Sequence, residues 1–344
     1  MVDLEIEAIF RKAQKCLELN PVIVLGSGAS AAYGIPGMGG LAEHLVKNVV
    51  PSTADAKAWA TFNEELVRVK DLELTLQRVE VSKGLLRQII FETWKLIAGA
   101  DHDVFLKSLE NPHHFALSRL FRHLLNSTNA NLVVVTPNYD CLAEYAANAA
   151  GFASYLGFSD GYLGYEDSDS PWTIYRFGRP EKTVNVWKVH GSIDWFRNTD
   201  VGVLRLPSVR ILPTGFEPVI VTPGTNKYET THQEPFRSVL SRADQALATA
   251  SSYISIGYGF NDEHIQPKLI RGLKREKKPL VVLSRTLTES AKRTLLSGEI
   301  SNFVAFELDG TKTRVYTENH LNGLLIGDSK LWDLSAFVSE LTSY

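Results

Sequence analysis

Five short apolar runs punctuate the chain: VIVL from residue 22, NLVVVTP from 131, VNVWKVH from 184, YISIG from 253 and PLVVLS from 279. Each is nearly continuous in apolar residues, the pattern of a parallel strand covered on both faces. Segments with helical spacing lie between and after them. Ile6, Ile9, Ala13 and Leu17 recur at three- or four-residue steps within residues 5–19, ahead of Pro21. Residues 41–50, 141–150, 236–250, 263–274 and 288–296 read in the same way. This alternation predicts an open, doubly wound α/β sheet of Rossmann-like, parallel design.

Residues 54–98 have few glycines or prolines and read as a long helical tract, part of a helical insertion over about 42–125. Residues 152–183, rich in Gly, Asp, Ser and Tyr, read as irregular, and 203–222 as a small β element, giving a second insertion over about 152–222. One domain is expected over 1–310. Residues 311–344 then supply a C-terminal strand, TRVYTE, and an amphipathic helix over 331–341. Its apolar Trp332, Leu334 and Phe337 are expected to pack on the parent sheet or to form a homo-oligomer contact.

With 344 residues, 44% hydrophobic and 22% charged, the chain can bury a large core. Its net charge of −3 offers no global attraction to a polyanion, so no direct nucleic-acid partner is expected. Cys16 and Cys141 are the only cysteines, which excludes a disulfide framework and a four-cysteine zinc ribbon and fits a reducing cytoplasm. The first 21 residues do not read as a signal peptide, and no run of eighteen uninterrupted apolar residues exists, so no membrane partner is expected. His113, His114, His232 and His264 lack metal-ligand spacing, so no metal is expected. The basic run RGLKREKKP over 271–279 reads as the solvated end of a helix.

The first strand runs into GSGASAAYGIPGMGG at 26–40, the place where a phosphate site belongs on this architecture. Gly26 and Gly28 would let the backbone approach a pyrophosphate, with the N–H groups of Ser27 to Ser30 facing the negative charge. A bland strand-to-helix turn uses the same residues. Asn138, after a proline at a strand end, is open to two readings, a helix N-cap or a polar site group. His190 is a turn histidine or a proton acceptor, and Asp262 binds a ribose or caps the following helix.

The full register G-x-G-x-S-x-x-x-G-I-P, filled by Gly26, Gly28, Ser30, Gly34, Ile35 and Pro36, resembles the nucleotide-binding loop of the sirtuin superfamily. TPNYD at 136–140 resembles the sirtuin T-Q-N-x-D segment, and KVHGSIDW at 188–195 the L-H-G segment. ISIGYGFNDEH and LVVLSR resemble the two strand ends that hold the adenosine half of NAD. The resemblance spans roughly residues 20–290. It implies Asn138 and His190 as catalytic residues. It implies Gly26, Ser27, Gly28, Ala29, Ser30, Pro36, Asp140, Gly257, Tyr258, Asp262 and Ser284 as contacts to NAD+, which is the substrate.

Two departures redirect the reading. Gly37, Met38, Gly39 and Gly40 stand where protein-deacylating sirtuins carry D-F-R-S, and two cysteines cannot build the deacylases' zinc ribbon. The combination is most similar to sirtuin-like NAD-hydrolysing effectors of bacterial anti-phage defence. That resemblance implies a homo-oligomer with a separate partner such as a HerA-like ATPase, and VTPGTNKYE from 221 resembles a substrate-channel loop of the same group. A site that senses NAD or ADP-ribose without turnover, and a deacylase or ADP-ribosyltransferase, are the alternatives.

Overall fold

The structure is a computed structural model that describes residues 2–126, 128–167, 173–207, 209–221, 233–327 and 329–342. The five apolar runs become β1 (Val22–Leu25), β2 (Asn131–Thr136), β7 (Thr183–Lys188), β11 (Tyr253–Ile256) and β12 (Leu280–Ser284). Each residue of β1, β7, β11 and β12 is buried, as two-sided coverage requires. With β3 (Ala153–Tyr155), β13 (Phe303–Asp309), β14 (Lys312–Thr317) and β15 (His320–Ile326) they form a nine-stranded sheet in the order β15-β14-β13-β12-β11-β1-β2-β7-β3. From β3 to β13 every pairing is parallel. The chain leaves β1 toward β2 on one side and returns to β11 on the other, so strand order reverses beside β1. A crevice therefore opens over the C-terminal ends of β1, β2 and β11.

The expected doubly wound, mostly parallel α/β sheet is present, with an antiparallel addition at one edge. β14 and β15 add antiparallel to β13. Gly310, at φ +61, opens the two-residue turn between paired Asp309 and Lys312, a conformation that glycine adopts without strain. The single C-terminal strand expected at TRVYTE is thus the middle of a three-strand meander. The helix Leu334–Thr342 lies against it, with Phe337 fully buried and 5.6 Å from the Phe306 ring on β13. Arg119, on helix Ala116–Leu124, donates to the Ser335 and Ser339 hydroxyls of that helix. Trp332 and Leu334 are partly buried against the core.

Helices Met38–Asn48, Ala56–Val69, Leu72–Arg78 and Lys83–Glu110 fill the first insertion. They enclose a small core of their own, where Trp59 stacks on Phe62 at 4.8 Å between fully or nearly buried leucines. The long helix Lys83–Glu110 then passes into the main core, with Trp94 donating to the Ile193 carbonyl at 2.9 Å. In the second insertion β4 (Gly164–Tyr165), β8 (Gly191–Asn198), β9 (Gly202–Arg205) and β10 (Phe216–Ile220) form an antiparallel sheet, and β5 (Tyr175–Arg176) pairs with β6 (Arg179–Pro180). β8 had no strand signal of its own in the reading above. Among the described residues no helix is long and apolar enough to cross a membrane.

Candidate active site

The glycine loop after β1 answers to its neighbour before any ligand. Gly26 N–H donates to the Ile256 carbonyl at 2.9 Å and Gly28 N–H to the Gly257 carbonyl at 3.0 Å, so the loop after β1 lies directly on the loop after β11. A Cβ at Gly26 would sit 2.4 Å from the Gly257 oxygen, and one at Gly257, where φ is +59, 2.3 Å from the Ala29 nitrogen. Both positions demand glycine for backbone-on-backbone packing. The expectation that all N–H groups of Ser27 to Ser30 face an anion is corrected for two of them: Gly28 donates to Gly257 and Ala29 to the Gly26 carbonyl. Their hydrogen bonds are spent within the protein.

The other strand ends bring polar side chains to the same crevice. Thr136 closes β2 by donating to the Leu25 carbonyl at 2.7 Å and accepting from the Asn138 N–H at 3.0 Å. That turn lifts Asn138 over the loop, where its Nδ2 donates to Ser30 Oγ at 2.9 Å. Asn138 is therefore not an N-cap. Asp140 takes the capping role, with Oδ1 accepting from Leu142 N–H at 3.2 Å while the residue also lines the cavity. His190 follows β7; its carbonyl accepts from Val221 N–H at 2.9 Å. Gly191, at φ +82, leaves no room for a Cβ, which would lie 2.2 Å from the Val219 oxygen.

Asp262 resolves its two readings in part. Oδ1 accepts from the His264 and Ile265 N–H groups at 2.9 and 3.0 Å, which is the capping role. Oδ2 lies 3.1 Å from Nε2 of His190, a close charge contact that falls short of an aligned hydrogen bond. Burial opposes the charge on Asp262, yet His190, the Ile265 N–H and His264 together hold its carboxyl far below the usual carboxylate range. The His264 ring stands edge-on to His190 at 5.6 Å.

Behind this surface lies a closed ionic cluster. The ammonium of Lys188, fully buried, is bonded to the Asp140 carbonyl oxygen and lies 3.0 Å from Glu144 Oε1. Burial disfavours its charge, but the carboxylates of Glu144 and Asp194 overcome that and keep it protonated. Asp101, from the long helix, accepts from Cys141 N–H at 2.7 Å and from the Tyr145 hydroxyl at 2.5 Å. Burial pushes its carboxyl from the ordinary 3.8 up to about 7.

Two abutting cavities occupy the crevice. The smaller, about 160 Å³, is lined by Gly26, Ser27, Ser30, Pro36, Asn138, Asp140, His190, Tyr258 and Asp262 of the residues singled out from sequence. The larger, about 660 Å³, is lined by Gly28, Ala29, Gly257 and Ser284, and shares Ser27 and Tyr258 with the first. Sequence reasoning missed Asn261, which lines both, and Ile97, which reaches the smaller one from the long helix. It also missed Tyr33, His114 and the stretch Trp332 to Ser335, which wall the larger one. Asn261 lies inside the ISIGYGFNDEH stretch, whereas the others reach the crevice only through the fold. Of the channel-loop stretch VTPGTNKYE, residues 222–229 lie outside the described residues, as does His232. No three His, Cys, Asp or Glu side chains among the described residues are grouped to hold a metal ion.

Among curated proteins none matches the sequence. Among solved structures, a Sir2 homologue in complex with NAD is 16% identical over 95% of this chain and 94% of its own, with a TM-score of 0.42. A mutant Sir2 homologue bound to ADP-ribose is 15% identical over 96% and 97%, with a TM-score of 0.44. A Sir2 enzyme structure addressing mechanism and regulation is 17% identical over 83% and 89%, with a TM-score of 0.41. Residues 132–300, the stretch that carries Asn138, His190 and Asp262 and a little under half of the chain, are similar to the SIR2-like domain family.

Proposed function

We propose that this protein hydrolyses NAD+ to nicotinamide and ADP-ribose. The observation that carries the reading is the convergence of Asn138 and His190, from the ends of adjacent strands, on one small cavity that opens past the glycine loop into a larger one. A dinucleotide needs such a two-chambered site. The small chamber takes the nicotinamide and its ribose, and the large one, bordered by the β12 end at Ser284, takes the adenosine.

The chemistry asks little of the protein beyond placement. Nicotinamide is already a cationic leaving group, so no acid is required to expel it. The C1′–N bond breaks with its electrons passing to the ring nitrogen, and water adds to C1′ and releases a proton. Asn138, which offers both a carbonyl and an N–H, orients a ribose hydroxyl or the water, and His190 accepts the proton. Asp140, which lines the same cavity, binds the carboxamide in this reading. The reading also includes a role as a toxic effector of anti-phage defence that depletes NAD. A cell tolerates such an enzyme only if it idles, so the competent state is expected in a homo-oligomer bound to a separate ATPase-type partner, in the cytoplasm.

The test is to incubate the pure protein with NAD+, with and without an acyl-peptide, and to separate the products. Nicotinamide and ADP-ribose released without peptide support the reading. NAD binding without turnover, in the presence of the partner as well, replaces it by a sensor, and peptide-dependent turnover by a deacylase. Mass distribution and NAD loss are then compared for the chain alone and mixed with the neighbouring gene's product. A monomer fully active alone overturns the regulatory part.

A further inference from the structure

The contact between His190 and Asp262 is fixed from both sides by backbone. Asp262 cannot rotate freely, because Oδ1 is committed to the His264 and Ile265 N–H groups, and its own carbonyl accepts from Gln266 N–H at 2.9 Å. Oδ2 is therefore aimed, and what it meets is Nε2 of His190 at 3.1 Å. His190 is held by its carbonyl bond to Val221 and by the tight fit of Gly191 beneath the Val219 oxygen. Both side chains are nearly buried, at 12% and 8% exposure, so water competes weakly for the contact. Among the described residues lining this cavity there is no lysine or arginine to draw the carboxylate elsewhere. The groups that face the pair are the His264 ring from the same loop, Asp140 from the end of β2 and Tyr258 from the end of β11.

We infer that Asp262 is a positioning residue for His190, holding the imidazole in the Nε2–H tautomer so that Nδ1 is the nitrogen left to accept a proton. A carboxylate only accepts, so at 3.1 Å, even short of an aligned hydrogen bond, the nitrogen facing it is favoured as the one that carries the hydrogen. The other nitrogen has no partner among the described residues. The consequence for rate rests on the NAD-cleavage proposal; the tautomer does not.

Asp262→Asn separates the two. Oδ1 of the asparagine still accepts from His264 and Ile265, so the cap survives and the amide nitrogen turns toward Nε2. A donor there forces Nε2 to accept and moves the ring hydrogen to Nδ1, leaving the wrong nitrogen basic. On protein labelled with 15N-histidine, long-range imidazole spectra are expected to show the Nε2–H form at His190 in the wild type and the Nδ1–H form in Asp262→Asn. In the same variant kcat for NAD cleavage is expected to fall about 10²- to 10⁴-fold with KM little changed. An Nδ1–H ring in the wild type overturns the assignment without any variant. So does an unchanged tautomer, or an unchanged kcat, in a folded Asp262→Asn. Tautomers as expected in a wild type that never cleaves NAD keep the assignment and remove the reaction instead.

Discussion

Lys188 and His190 stand two residues apart at one strand end, and each meets a buried carboxylate, yet the two pairs do different work. Lys188 is sealed at 0% exposure, with Glu144 and the Asp140 carbonyl filling its donors. His190 keeps one face on the cavity, and its partner Asp262 approaches from another loop. A closed pair holds the chain in place, because each charge is costly without the other. An open pair leaves one polar atom for a substrate. The lesson is that a buried ion pair signals function only where one of its members still faces empty space.

The largest effects belong to the open side. Asn138→Ala and His190→Ala are each expected to lower NAD cleavage about 10²- to 10⁴-fold while thermal unfolding moves little, since neither belongs to the apolar core. A variant with wild-type turnover breaks the comparison. The closed side predicts the reverse pattern, with damage read as stability. Glu144→Ala strands the Lys188 ammonium and is expected to cost about 3–5 kcal/mol in urea unfolding. Replacing both, as Glu144→Leu with Lys188→Met, is expected to recover most of that loss. If the single variant costs nothing, the cluster behind the cavity is not a strut.

A smaller effect is expected at Asp101. Its carboxyl is raised from the ordinary 3.8 to about 7, so between those values the folded state binds the proton that the unfolded chain releases. Its contribution to stability is therefore present in full below pH 4 and is lost as pH climbs toward 7, by at most about 1.4 kcal/mol per pH unit. Asp101→Asn is expected to flatten that slope in Tm measured from pH 4 to 8, and an unchanged slope contradicts the shift. The smallest expected effect is none: with two cysteines, both buried, NAD cleavage is expected to survive strong chelators. A loss restored by zinc would mean that a metal site had gone unread.

Much of the fold was legible because two-sided burial leaves a local trace. β1, β2, β7, β11 and β12 stand where continuous apolar runs stood, and the helices between them begin and end within a few residues of their periodic segments. TRVYTE marked β14, but its partners went unread: β13 carries a buried apolar run like the other parallel strands, and β15, only partly buried at the sheet edge, blends with loop sequence. In the site, Asn138, His190 and the expected NAD+ contacts line the crevice, and the fold adds a second reason for some of them. Gly26 and Gly257 are glycines for each other's backbone, and Asp262 faces His190.

By itself, then, the sequence determined the sheet's parallel heart, the glycine turn at its switch point and the kinds of polar group at the strand ends. These follow from period, volume and backbone freedom over a few residues. Only the tertiary structure decided which nitrogen of His190 meets a carboxylate, which N–H groups the loop has already used, and that the C-terminal Trp332 to Ser335 stretch walls the larger cavity. Those are contacts between segments remote along the chain, and they form only when burying the shared core brings such segments within a few ångströms.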